Sequence, residues 1–164
     1  MFEAADFVPC DFVVPLLLET PEFRLRMLSV EDVAQDFDAV MSSVEHLQNL
    51  FPGSDWPLGL TLAENRIDLS WHQKEFQLRR SFAYTVVDPA GARVLGCVYI
   101  NPTRHQAYDA AVYLWVRADE LAGGLESRLL SVVRDWVARC WPFVRAADPG
   151  RGIAWSVWNN QPSG

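Results

Sequence analysis

The chain has 164 residues, 50% of them apolar, 12% aromatic and 21% charged. That is enough to bury one core and too apolar for a disordered chain. Fourteen Lys and Arg against 21 Asp and Glu leave a net charge of −7, which argues against nucleic acid and membranes as partners, since both recruit a basic footprint, and leans toward a cationic one.

The opening Met1-Phe2-Glu3-Ala4-Ala5-Asp6 is acidic where a secretion signal is basic. Residues 1–20 carry Pro9 and Pro15, which block a helix, so they read as an arm lying on a surface or pairing with another subunit. A single domain over 21–164 is expected to follow. Phe23-Arg24-Leu25-Arg26-Met27-Leu28 alternates with period two, as a half-buried strand does. Ser29-Val30-Glu31-Asp32 reads as a capped helix start with acids in the first turn. Val30, Val33, Phe37, Val40, Val44, Leu47 and Phe51 then recur at spacings of three and four, predicting one helix that ends at Phe51-Pro52-Gly53. Ser54-Asp55-Trp56-Pro57 is loop.

A second helix starts at Thr61, where Glu64 completes a capping box, and runs to Arg79 or Arg80 with Leu62, Leu69 and Phe76 on one side. Ser81–Val87 and Arg93–Ile100 read as two strands joined by the Asp88-Pro89-Ala90-Gly91 turn. After the polar link Asn101–Gln106, Tyr108–Val116 is the third strand of an antiparallel meander. A third helix carries Leu125, Leu129, Val132, Val133, Trp136, Val137 and Cys140 on its apolar face and stops at Pro142. Ile153–Trp158 reads as a last strand. The order β-α-α-β-β-β-α-β contains one strand–helix–strand crossover, which is right-handed and parallel. The fold class is therefore α/β (α+β): a mixed, mainly antiparallel sheet with helices on both faces.

The cysteines Cys10, Cys97 and Cys140 form no Cys-x-x-Cys pair, so neither a zinc site nor a disulfide frame is expected; reduced, buried thiols in a cytoplasmic protein are. The apolar run from Phe12 to Leu18 is broken by Pro15 and too short to cross a bilayer.

Four stretches, in this order, resemble the Gcn5-related N-acetyltransferase (GNAT) superfamily. These are Leu18-Glu19-Thr20-Pro21-Glu22-Phe23-Arg24-Leu25-Arg26 with Ser29-Val30-Glu31-Asp32, then Val94-Leu95-Gly96-Cys97-Val98-Tyr99-Ile100, then Tyr113-Leu114-Trp115-Val116, and finally Asn160-Gln161-Pro162-Ser163. The first is similar to the opening of the branch that holds the ribosomal-protein alanine acetyltransferases. The resemblance implies an acyl-CoA N-acyltransferase-like fold, acetyl-CoA as co-substrate, and an amine of a small molecule or peptide as acceptor. It also implies a gap beside the strand of Leu114, Trp115 and Val116, whose backbone pairs with pantetheine.

In the family a glycine-rich loop at a helix N-terminus grips the pyrophosphate. The matching stretch here is Leu121-Ala122-Gly123-Gly124-Leu125-Glu126. It departs from the family's pattern: Leu121 replaces a polar or basic residue, and Glu126 places a carboxylate where phosphate approaches. Arg117 or Arg128 would have to supply the positive charge. The family's acid near the start of that strand falls on Ala111. Asp109, two residues earlier on the same face, is therefore the expected base ahead of His105, with Tyr113 beside it. His46 and His72 sit on helices, where packing is the default role, and no spacing among the histidines points to a metal. Trp56, Trp71 and Tyr84 are aromatics able to receive an ammonium by cation–π contact. Family members continue beyond the Asn-x-x-Ser stretch, so the arm or a second copy pairing at the last strand is expected to complete the sheet, giving a homodimer. The rival reading is a non-catalytic binding or oligomerisation domain that has lost tight acetyl-CoA binding.

Overall fold

The computed structural model describes residues 6–160. Its centre is a six-stranded sheet in chain order: β1 (Leu17–Glu19), β2 (Arg24–Met27), β3 (Phe82–Val87), β4 (Val94–Asn101), β5 (Ala110–Val116) and β6 (Ala146–Ala147). Every neighbouring pair is antiparallel except β5 with β6, which is parallel. The meander thus forms as the pattern predicts, and a parallel strand follows the last long helix, at Ala146–Ala147.

Alternation along the strands sends side chains to two cores. Phe82, Tyr84 and Val86 join the cluster of α4 (Leu125–Cys140), while Ala83, Val87, Cys97 and Trp115 join that of α1 (Val33–Met41) and α3 (Leu62–Gln77). Gly96 lets β4 and β5 approach; a Cβ there would meet the Trp115 carbonyl oxygen at 2.0 Å.

Three expectations are corrected. The helix expected from Val30 to Phe51 is broken: a 3-10 turn (Val30–Asp32) precedes α1, and α2 (Val44–Leu50) follows after Ser42 and Ser43. Both hydroxyls donate back to the Ala39 carbonyl, which competes with the helical ladder and bends the chain. The Ser43 hydroxyl, buried at the break, also accepts the Ala118 N–H at 2.8 Å and so ties this corner to the loop after β5. Removing it in Ser43→Ala leaves that N–H unpaired and is expected to cost about 1.5 kcal/mol, read from a urea melt.

Ile153–Trp158 is not a strand. Parallel pairing falls to Ala146–Ala147, and α5 (Trp155–Asn159) takes the Trp-rich stretch. Period-two and short-helix patterns coincide in six residues, and the three-residue spacing of Trp155 and Trp158 puts both on the sheet side, where Trp158 packs against Ala111 and Ala147. Leu62 is exposed rather than part of the buried stripe of α3, which starts at Asn65.

The arm folds back on its own chain. Val8 is buried in the main core, Phe7 stacks on Phe82 and Phe143, and the Tyr84 hydroxyl donates to the Pro15 carbonyl at 2.6 Å. Arg79 donates to the Pro9 and Phe12 carbonyls. Of the cysteines only Cys97 is buried, where desolvation pushes its thiol far up; Cys10 and Cys140 are exposed. Among the described residues no helix is long and apolar enough to cross a membrane. The stretch Asn160-Gln161-Pro162-Ser163 lies, after Asn160, outside the described residues, as do residues 1–5 of the arm.

Candidate active site

Pairing between β5 and β6 lasts only for Ala110 with Ala146 and Ala111 with Ala147. β6 ends at Ala147 and the chain turns at 150–152, while β5 runs on to Val116, leaving the backbone of Leu114, Trp115 and Val116 without a β6 partner. The side chains of these three residues are core, so only the main chain is available at the slot.

The slot's charged group is Arg151, from the turn before α5. Its guanidinium donates to the Leu114 carbonyl at 2.9 Å and to Glu126 Oε1 at 3.1 Å, while His46 Nε2 lies 2.9 Å from Glu126 Oε2. All three side chains are less than one-fifth exposed. The bend after α1 is what carries His46 there. The carboxylate expected to face phosphate is therefore already paired.

Of the cations expected to compensate it, Arg117 is buried against Asp38, Asp119 and the Val94 carbonyl. Arg128 is paired with Glu22 and the Gly123 carbonyl. Leu121, Ala122 and Gly123 form turns ahead of α4. Gly124, at φ +75°, is its N-cap and brings no side chain to the amides that follow, at Leu125 and Glu126.

Asp109, the expected base, is held by backbone hydrogen bonds. Its Oδ2 accepts the Val144 and Arg145 N–H groups at 2.8 and 2.9 Å, and its own N–H donates to the Arg145 carbonyl. It braces the start of the parallel pair and is exposed. His105 lies on Trp158, ring centroids 3.9 Å apart. Tyr84 is core, and Trp71 is half-exposed with His72 edge-on to it.

Next to the slot is a cavity of about 500 Å³ lined by Phe51, Trp56, Tyr99, Tyr113 and Trp155, with Asp68, His72 and Asn101 among them. Its rings brace one another: Tyr113 stacks with Trp155 at 6.3 Å, Phe51 meets Trp56 at 6.1 Å, and His72 meets Tyr99 at 5.2 Å. Trp115 Nε1 donates to the Tyr99 hydroxyl at 3.1 Å, and Trp155 Nε1 to the Leu50 carbonyl at 3.2 Å. A smaller space of about 50 Å³ continues beneath, touching Asp36, Asn65 and Asp68.

Burial sets the protonation states here. It pushes His72 down to about 4, leaving a neutral imidazole at pH 7. Desolvation, helped by the charge of Glu64, raises Asp68, and burial raises Tyr113 and Tyr99. Asp36 is pushed up to about 6 by burial, although the Asn65 amide donates to it at 2.9 Å.

Tyr113 and Trp56 were singled out from sequence; Asp68, His72, Tyr99, Trp155 and Arg151 were not. One signal was available: Asn65, Asp68, Leu69 and His72 stand at i, i+3, i+4 and i+7, which places His72 and the exposed Asp68 on the cavity side of α3.

Neither a protein-family model nor a curated protein matches the sequence. The fold does match solved structures. One is the ribosomal-protein-S5-alanine acetyltransferase from Vibrio fischeri, at 15% identity over 76% of this chain and 68% of that one, TM-score 0.60. A second is a ribosomal L7/L12 alpha-N-protein acetyltransferase solved with coenzyme A, at 18% identity over 75% and 68%, TM-score 0.57. A third is the microcin C7 self-immunity acetyltransferase solved with acetyl-CoA and AMP, at 11% identity over 71% and 63%, TM-score 0.57. The chain spans about two thirds of the length of each, and its fold is that of the acyl-CoA N-acyltransferases.

Proposed function

We propose that the chain is an N-acetyltransferase that moves an acetyl group from acetyl-CoA to an amine held in the aromatic cavity. The observation that carries this reading is that β6 pairing ends at Ala147 while β5 runs on to Val116, leaving a slot in which the Leu114 carbonyl accepts a side-chain N–H where a pantetheine amide would donate. Acetyl-CoA supplies an activated thioester. Direct transfer to a bound ammonium forms one C–N bond and breaks one C–S bond; two protons leave nitrogen, one before attack, which passes through Asp68 to solvent, and one after it, and one proton is returned to sulfur.

The chain's own groups can meet each demand. Backbone at Leu114, Trp115 and Val116 holds the pantetheine arm. The amides of Leu125 and Glu126, following the turns of Leu121, Ala122, Gly123 and Gly124, face the pyrophosphate with the positive end of α4 behind them. Arg151 is the cation within reach once it leaves the Leu114 carbonyl. Asp68, its pKa raised by desolvation, takes the ammonium proton, and neutral His72 orients the amine or relays that proton. Tyr113, kept as a phenol by burial, donates to the leaving sulfur. Asp109 is a positioning residue that fixes where the two strands part.

A cytoplasmic location, and pairing of two copies at the sheet edge of β1, belong to the same reading. Thiol release from acetyl-CoA in the presence of a panel of primary amines tests it. Asp68→Asn is expected to lower kcat/KM for the amine about a hundredfold with the KM for acetyl-CoA unchanged. Absence of amine-dependent thiol release across the panel would overturn the assignment in favour of a non-catalytic domain.

A further inference from the structure

The aromatic cavity is built for more than a generic amine. Its walls come from five places in the fold: the end of α2, the loop with Trp56, α3, the β4–β5 strands and α5. They are locked by ring contacts and by two indole hydrogen bonds, from Trp115 to the Tyr99 hydroxyl and from Trp155 to the Leu50 carbonyl. A cage held this way loses little freedom on binding. Among the described residues lining it there is no Lys or Arg, and Asp68 is the one carboxylate. Asp36 lies in the small space beneath, its Oδ2 accepting from Asn65.

An anionic ligand would face both carboxylates with no cation to pair with. A neutral apolar ligand would gain ring contact but leave Asp68 desolvated and alone. A cation gains from both the ring faces and the carboxylate. The volume, about 500 Å³, lies in the range of small-molecule sites rather than of extended grooves.

From this we infer that the acceptor is a small monovalent ammonium with an apolar body and no carboxylate or phosphate, held by Trp56, Tyr99, Tyr113 and Trp155 against Asp68. The inference rests on the acetyltransferase reading for the word acceptor, but the cation site itself does not need acetyl transfer.

A quaternary ammonium separates the two, because it has no N–H to give up and cannot be acetylated. Benzyltrimethylammonium is titrated into the full-length protein without acetyl-CoA and followed by tryptophan fluorescence and calorimetry. Its uncharged carbon analogue, neopentylbenzene, and phenylacetate are run beside it. The cation is expected to bind about tenfold more tightly than the neutral analogue, with phenylacetate weaker than both. Asp68→Asn should reduce the preference for the cation while leaving the neutral analogue unchanged, and Trp56→Leu should weaken the cation severalfold. Circular dichroism and a urea melt establish that each variant is folded.

Equal affinity for cation and neutral analogue, preference for the anion, or no saturable binding of the cation would each overturn the inference. If the cation binds as expected and no amine is acetylated, the cage stands and the acetyltransferase reading falls. If only carboxylate-bearing amines or peptides are acetylated, the reading stands and the cage falls.

Discussion

Glu126→Gln is expected to tighten CoA binding about 30-fold, or ~2 kcal/mol. Glu126 sits in the first turn of α4, where the pyrophosphate of the proposed co-substrate would lie, and its carboxylate is shared between Arg151 and His46. Two unit charges about 4 Å apart interact by about 4 kcal/mol at the effective dielectric of a partly buried site, and solvent halves that here. The neutral amide removes the repulsion and releases Arg151 from its ion pair, so the guanidinium can turn from the Leu114 carbonyl toward phosphate. Calorimetry on wild type and variant reads the effect, and a steeper salt dependence in the variant is expected to accompany it. An unchanged affinity would show that the phosphates do not approach this turn. A weaker one would show that Glu126 holds the slot open through Arg151 and His46.

Asp36→Asn is expected to stabilise the fold by up to about 3 kcal/mol at pH 7.5 and by almost nothing at pH 4. Asp36 is buried, and its pKa rises from 3.8 to about 6 on folding. The folded state therefore binds the proton more tightly than the unfolded one. The contribution of Asp36 is full below pH 3.8 and is lost as pH rises through 6, above which a buried charge must be carried. His72 acts oppositely: its pKa falls from 6.5 to about 4, so its contribution is full above pH 6.5 and is lost as pH falls toward 4. The two nearly cancel in wild type, whose stability should vary little across this window. The difference between wild type and variant isolates Asp36, because Asn keeps the carbonyl oxygen that accepts from Asn65. Urea melts at both pH values decide it: an equal gain at the two would show that packing, not charge, is what changed. A buried acid that costs stability at neutral pH, set under the cavity floor beside Asp68, is the kind of group a fold keeps for its field rather than its packing.

What the amino-acid sequence determined by itself was local and periodic. The Thr61 and Ser29 capping boxes form as written, because a cap is decided by residues three apart. The meander of β3, β4 and β5 follows from alternation and from the Asp88–Gly91 turn, where nearest-neighbour pairing leaves no topological choice. The fold family was legible for the same reason: its order of elements is one-dimensional information. The tertiary structure alone decided where chemistry collects. Asp68, Tyr99, Tyr113 and Trp155 come from four elements, and no window along the chain contains two of those elements' contributions in their true spacing. Asp109 shows the limit of the period: alternation gives its face, but only the return of the chain at Val144 and Arg145 shows that one of its oxygens accepts two backbone N–H groups. Within the stretch Ile153–Trp158 the part from Trp155 became helical, the parallel strand pairing with β5 lying instead at Ala146 and Ala147. Once β6 ended there, the tryptophans could be buried only by turning inward, and that turn is what leaves Arg151 and the slot where they are.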